Sequence, residues 1–164
     1  AQRRVPGHWE GDLIIGKNGT SCAATLVERM SGFTGLLALS SKHAEPTADA
    51  VIEFFNDLPE MMKASLAWDQ GSEMAQHAKV SLATAMPVYF ADPHSPWQRP
   101  SNENTNRLYR EYLPKGTVIP DHQPYLTTIA EEINNRPRRR LGYLTPTEAF
   151  ARLLAGEPHV ASTP

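Results

Sequence analysis

"HWEGDLIIG", from His8 to Gly16, decides the fold of this 164-residue chain. Trp9, Leu13, Ile14 and Ile15 give it the reading of a strand, yet Asp12 sits inside it. "SLAWDQGSEM", from Ser65 to Met74, poses the same question: an apolar run ends at Trp68 and Asp69 follows at once. Two strands each deliver an acid where they leave the core.

Working outward from the first stretch, "SCAATLVERM" and "FTGLLALSS" are two more short apolar runs, separated by the turn residues of "KNGT" and "SG". Three such runs between Trp9 and Ser41 predict an antiparallel meander. "EPTADAVIEFFNDLP" reads as a helix, with Pro46 in its first turn and Ala48, Val51, Ile52, Phe55 and Leu58 on one face. "SLAWD" and "PVYFAD" are further strands. The helix between them, "EMAQHAKVSLATA", is expected to turn Met74, Ala78, Ser81, Leu82 and Ala85 inward. A proline-rich loop, "PHSPWQRPSNE", then leads to helices in "ENTNRLYREYL", "YLTTIAEEINN" and "TPTEAFARLLA". The second of these should bury Leu126, Ile129, Ala130 and Ile133. The last has a capping box of Thr145 and Glu148, with Pro146 at its first position. The order β-β-β-α-β-α-β-α-α-α predicts a single α/β domain over 1–164, a mixed five-stranded sheet flanked by helices.

Composition sets bounds. Apolar residues make up 40% of the chain, enough for a core, and no run approaches the roughly 18 apolar residues of a membrane helix. One cysteine, Cys22, excludes an internal disulfide and a cysteine-built zinc cluster. With no apolar leader visible, the expectation is a cytoplasmic protein. The net charge of −2 is not that of a typical nucleic-acid binder. Basic residues cluster, however: Arg136, Arg138, Arg139 and Arg140 fall together, and Arg3 and Arg4 stand at the start.

If the first and fourth strands are neighbours, Asp12 and Asp69 converge. A helix returning across that edge adds Glu103, with 33 residues between Asp69 and Glu103. Converging carboxylates repel unless a cation lies between them. Hard oxygen ligands suit Mg²⁺ or Mn²⁺, and two such ions activate a hydroxyl and stabilise the leaving oxygen of a phosphodiester. Singly, each acid also has an ordinary reading, a turn or cap for the Asp residues and a helix-dipole partner for Glu103.

"HWEGDLIIG", "WDQGSEM", "DPHSPWQR" and "NENTNRLYREYLPKG", with "NNRPRRRLGYLTPTEAF", resemble the catalytic core of bacterial transposases of the insertion-sequence-thirty family. These are part of the retroviral-integrase-like group. The resemblance spans His8 to Leu154. It implies an RNase H-like fold and a DDE triad of Asp12, Asp69 and Glu103 that holds Mg²⁺ or Mn²⁺. It also implies cleavage of double-stranded DNA at element ends and joining of the 3′-OH to target DNA. A dimer or larger assembly and a nucleoid-associated place in a bacterial cytoplasm go with that activity. The family's N-terminal helix-turn-helix region has no counterpart in this sequence. The sequence departs from the pattern at Pro100 and Arg107, where members usually carry small residues.

On the helix of "ENTNRLYREYL", Glu103, Asn106, Arg107 and Arg110 fall at i, i+3, i+4 and i+7, one face. The resemblance makes Asn106, Arg107 and Arg110 DNA contacts; an ordinary i,i+4 pair of Glu103 with Arg107 is the alternative. Arg138 and Arg139 are further candidates for phosphate, against a solvated interhelical connection. Glu73 as support for the site, His94 in the loop, Trp97 as a stacking surface and His77 as a structural residue complete the candidates. A DNA-binding or oligomerisation module without activity, and a nuclease acting on RNA or hybrids, are the alternatives in other classes.

Overall fold

The computed structural model describes residues 5–68, 74–90 and 100–157. The strands are β1 (His8–Ile15), β2 (Cys22–Glu28), β3 (Thr34–Ala38), β4 (Ser65–Trp68) and β5 (Val88–Phe90). The helices are α1 (Ala44–Asn56), α2 (His77–Thr84), α3 (Pro100–Tyr109), α4 (Gln123–Asn134) and α5 (Pro146–Leu154). The sheet order is β3-β2-β1-β4-β5. β1–β2 and β2–β3 are antiparallel, whereas β1–β4 and β4–β5 are parallel. The meander and the mixed α/β sheet therefore form as the sequence predicts. Asn18 and Gly19 turn the first hairpin with φ of 56° and 69°, the left-handed region these two residue types tolerate. No helix among the described residues is long and apolar enough to cross a membrane.

Period-two alternation along β1 divides the core in two. Trp9 faces α1 and α5, meeting Phe54, Phe55 and Phe150 edge-on at ring separations of 5.4, 5.2 and 6.0 Å. Its indole N–H donates to the Met62 carbonyl at 2.8 Å, so the buried polar atom is satisfied. Ile14 belongs to the other layer, with Ala23, Leu36, Tyr109, Leu113, Leu126, Ile129 and Ile133. Gly11 is paired with Trp68 across the β1–β4 ladder. A Cβ at Gly11 would overlap the Trp68 ring and lie 3.1 Å from Leu26 Cδ2.

α4 is locked to the open edge of the sheet by two carboxamides. Asn134 accepts from the Thr34 N–H at 3.0 Å and donates to its carbonyl at 2.9 Å. Gln123 accepts from Ala38 N–H and donates to the Leu36 carbonyl, both at 2.8 Å. Two helix side chains thus pair with an edge that would otherwise offer free backbone groups.

α1 and α4 bury the faces expected of them, and the Thr145–Glu148 capping box of α5 is present. α2 differs. It begins at His77, and its buried positions are Val80 and Thr84, while Leu82 is 87% exposed and Ala78 and Ala85 are exposed too. The Thr84 hydroxyl donates to the Val80 carbonyl at 2.7 Å, so this polar side chain is buried without an unpaired group. His77 is exposed and sits edge-on to Phe90 at 5.2 Å. Replacing Gly11 with Ala is expected to destabilise the fold by about 1–3 kcal/mol, the usual cost of overpacking. Urea unfolding of the variant checks this.

Candidate active site

The site grows from the face of β1 that looks at α3. Glu10, Asp12 and Ile14 alternate onto that face, and α3 meets them with Asn102, Asn106 and Tyr109. Glu10 Oε1 accepts from the Asn102 backbone N–H at 3.0 Å. Asp12 Oδ2 accepts from Asn106 Nδ2 at 3.3 Å. Ile14 packs in the same cluster as Tyr109. One turn further on, Arg110 Nη2 donates to the Ile15 carbonyl at 3.1 Å. Two steps of a strand advance about 6.6 Å and four steps of a helix about 6 Å. α3 can therefore run along β1 in the same direction and keep register with it over two turns. The far end is held by Tyr109, whose hydroxyl lies 2.8 Å from Thr34 Oγ1. The Thr34 proton goes to the Leu26 carbonyl at 2.6 Å, so the tyrosine is the donor. Burial raises the Tyr109 pKa well above the usual phenol range, which keeps that proton in place.

This docking ties α3, the helix that carries Glu103, to Asp12. Glu103 follows Asn102, is exposed in the first turn of α3, and lies three residues from the Asn106 that grips Asp12. Across the sheet, β4 ends at Trp68 in register with Gly11, so each chain stands one residue short of an acid, Asp69 and Asp12. Asp69 itself lies outside the described residues, as do Glu73, His94 and Trp97. Among the described residues no three His, Cys, Asp or Glu side chains gather as a metal-binding group.

The residues present fit a hard divalent cation. Asp12 Oδ1 takes the Leu13 N–H at 2.8 Å and Oδ2 takes the Asn106 carboxamide at 3.3 Å, so a hard carboxylate stands at this face of β1. The Asn106 amide nitrogen also reaches Asn102 Oδ1 at 3.4 Å. With that nitrogen so engaged, Asn106 Oδ1 beside Asp12 is buried with no hydrogen-bond partner among the described residues. An unsatisfied buried carbonyl oxygen at a carboxylate suits a cation or its water.

Residues 2–96 match the integrase core domain. The chain belongs to the integrase core domain family. It is 45% identical, over 93% of its length, to the transposase InsI of insertion sequence element IS30C of Escherichia coli (strain K12). It has the same identity over the same share to the transposase of insertion sequence element IS1086 of Cupriavidus metallidurans. The chain spans about 40% and 45% of the lengths of those two relatives. The catalytic core domain of BIV integrase superposes with a TM-score of 0.70 at 16% identity, covering 93% of this chain and 99% of that one. That likeness bears out the RNase H-like α/β fold. The family match stops at residue 96, ahead of Glu103. The case for the third acid in this integrase core therefore rests on how α3 is docked.

The basic candidates differ in their surroundings. Arg107 is exposed and donates to Asn104 Oδ1; an ion pair with Glu103 is not among its contacts in the described residues. Arg110 is half-buried, tied to the Leu113 and Ile15 carbonyls at 3.3 and 3.1 Å, and burial lowers its pKa. Arg138 is half-buried with a pKa lowered by burial and then by Arg136. Arg139 is exposed, Arg140 donates to the Met30 carbonyl at 3.0 Å, and Arg136 donates to the Tyr112 hydroxyl at 2.6 Å. Glu10 and Asn102 are the residues that sequence reasoning missed. The signal was a second carboxylate inside the same apolar strand. Arg110→Ala is expected to cost about 1–2 kcal/mol of stability without DNA, because it removes two charged hydrogen bonds. Arg107→Ala should cost under about 0.5 kcal/mol, as surface changes usually do. Paired urea titrations separate the two.

Proposed function

We propose that this chain is the catalytic core of a DDE transposase that cuts DNA at transposon ends and joins the freed 3′-OH to target DNA. The observation that carries the reading is the Asn106–Asp12 hydrogen bond, which ties the helix bearing Glu103 to the acid of β1 and so supports the two as partners. The end of β4 in register with Gly11 supports Asp69 as the third member. The 45% identity to two insertion-element transposases supports the substrate class.

Asp12, Asp69 and Glu103 would hold Mg²⁺ or Mn²⁺, two ions when DNA is bound. Bound there, the metal supplies Lewis-acid activation of the attacking hydroxyl and charge stabilisation at the leaving oxygen. The chain's own residues do the rest. Asn106 orients the Asp12 carboxylate. Arg107, exposed one turn beyond Glu103, meets phosphate, and Arg138 and Arg139 extend that contact toward target DNA. Arg110 positions the end of α3 on β1 and adds positive potential to the DNA-facing side. Bringing two element ends together requires at least two copies, so the working form is a dimer or larger, at the nucleoid of a bacterial cytoplasm.

In the intact protein, Asp12→Asn and Glu103→Gln are each expected to lower DNA cleavage by about 1000-fold or more, as loss of several kcal/mol at the transition state implies. Element-end binding should persist. Unchanged cleavage in either variant would overturn the reading.

A further inference from the structure

We propose that Glu10, with Arg29 as its counter-ion, is a positioning residue that sets the place of Glu103. The inference rests on the reading of Asp12 and Glu103 as catalytic acids.

The Glu10 side chain is fully buried, and Arg29 beside it is 14% exposed, with Nε 2.9 Å from Glu10 Oε2. Glu10 Oε1 accepts the Asn102 N–H, one of the first backbone donors of α3, which the helix cannot satisfy itself. A strand supplies the acceptor, and the next residue along is Glu103. A buried ion pair is weak support for stability, since apolar residues of the same shape do as well or better. Its value at this place is geometric. Together with Asp12–Asn106 it fixes α3 at two points one turn apart, which sets both the advance and the rotation of the helix.

Arg29 is itself held in place. Its backbone N–H donates to the His8 carbonyl at 2.9 Å. Its neighbour Glu28 collects the N–H groups of Gly7, Met30 and Ser31 and the Ser31 hydroxyl, at 2.6–3.1 Å, and so builds the turn that carries it. Glu10 stands two residues from Asp12 on the same face, but its two oxygens are directed to Asn102 and Arg29. Those two contacts fit a support for the site.

The test uses the intact protein, an element-end duplex and Mg²⁺, with Asp12→Asn run alongside. Glu10→Ala is expected to slow single-turnover cleavage by about 100-fold, the loss that a misplacement of order 1 Å brings. Its affinity for the duplex should stay within about twofold of the parent, because no phosphate contact is removed. The double variant Glu10→Gln/Arg29→Met keeps an oxygen for the Asn102 N–H and leaves no unpaired charge; it is expected to recover most of the rate. A folded Glu10→Ala protein that cleaves at the parental rate would overturn the proposal. So would a folded double variant as slow as Glu10→Ala. If Glu10→Ala does not fold, the double variant decides alone: near-parental cleavage supports the proposal and slow cleavage overturns it. Should Asp12→Asn cleave normally, the underlying reading falls, and this proposal with it.

Discussion

The match between strand and helix repeat along β1 and α3 is the constraint on which the rest of this structure depends. Glu10, Asp12 and Ile14 present a capping carboxylate, a candidate catalytic carboxylate and an apolar contact in sequence. α3 answers with a backbone N–H, a carboxamide and an aromatic ring at matching intervals. Shifting β1 by one residue would turn its acids into the opposite layer, the aromatic one of Trp9 and the phenylalanines of α1 and α5. The position of Glu103 thus follows from the packing of a strand against a helix far away in sequence.

Electrostatics in this core are arranged in the same spirit. Two buried glutamates are each compensated, Glu10 by the Asn102 N–H and the Arg29 charge and Glu28 by three backbone N–H groups and the Ser31 hydroxyl. Polar side chains that reach the sheet, Thr34, Asn134 and Gln123, complete backbone hydrogen bonds at its edge or link to Tyr109. A rigid scaffold is what a site of converging acids needs, because like charges spring apart unless their supports hold them.

Much of this was legible in the sequence. Alternating and clustered apolar residues in "HWEGDLIIG" and "SLAWD" predict the strands, the 3.6-residue stripes of α1 and α4 predict their buried faces, and Thr145 with Glu148 predicts the start of α5. The parallel pairing of β1 with β4, which places the ends of both strands together, follows the expectation from the two acids. α2 was not legible: small residues surround it, so several stripes look equally apolar, and a threonine whose hydroxyl bonds within its own helix took the buried position. For Glu10 the sequence offered only a second carboxylate in an apolar strand, because the helix it bonds lies over 90 residues away. The half-burial of Arg138 and Arg110 was hidden likewise, because an arginine stem packs on apolar surface while its sequence context reads only as charge.

The most direct test of the docking is anomalous scattering from a crystal of this chain soaked with Mn²⁺. The expected result is a manganese peak ligated by Asp12 and facing the first turn of α3, with the Asn106 carboxamide still bonded to Asp12. A peak remote from Asp12, or an α3 whose Glu103 points away from β1 with manganese bound, would contradict it.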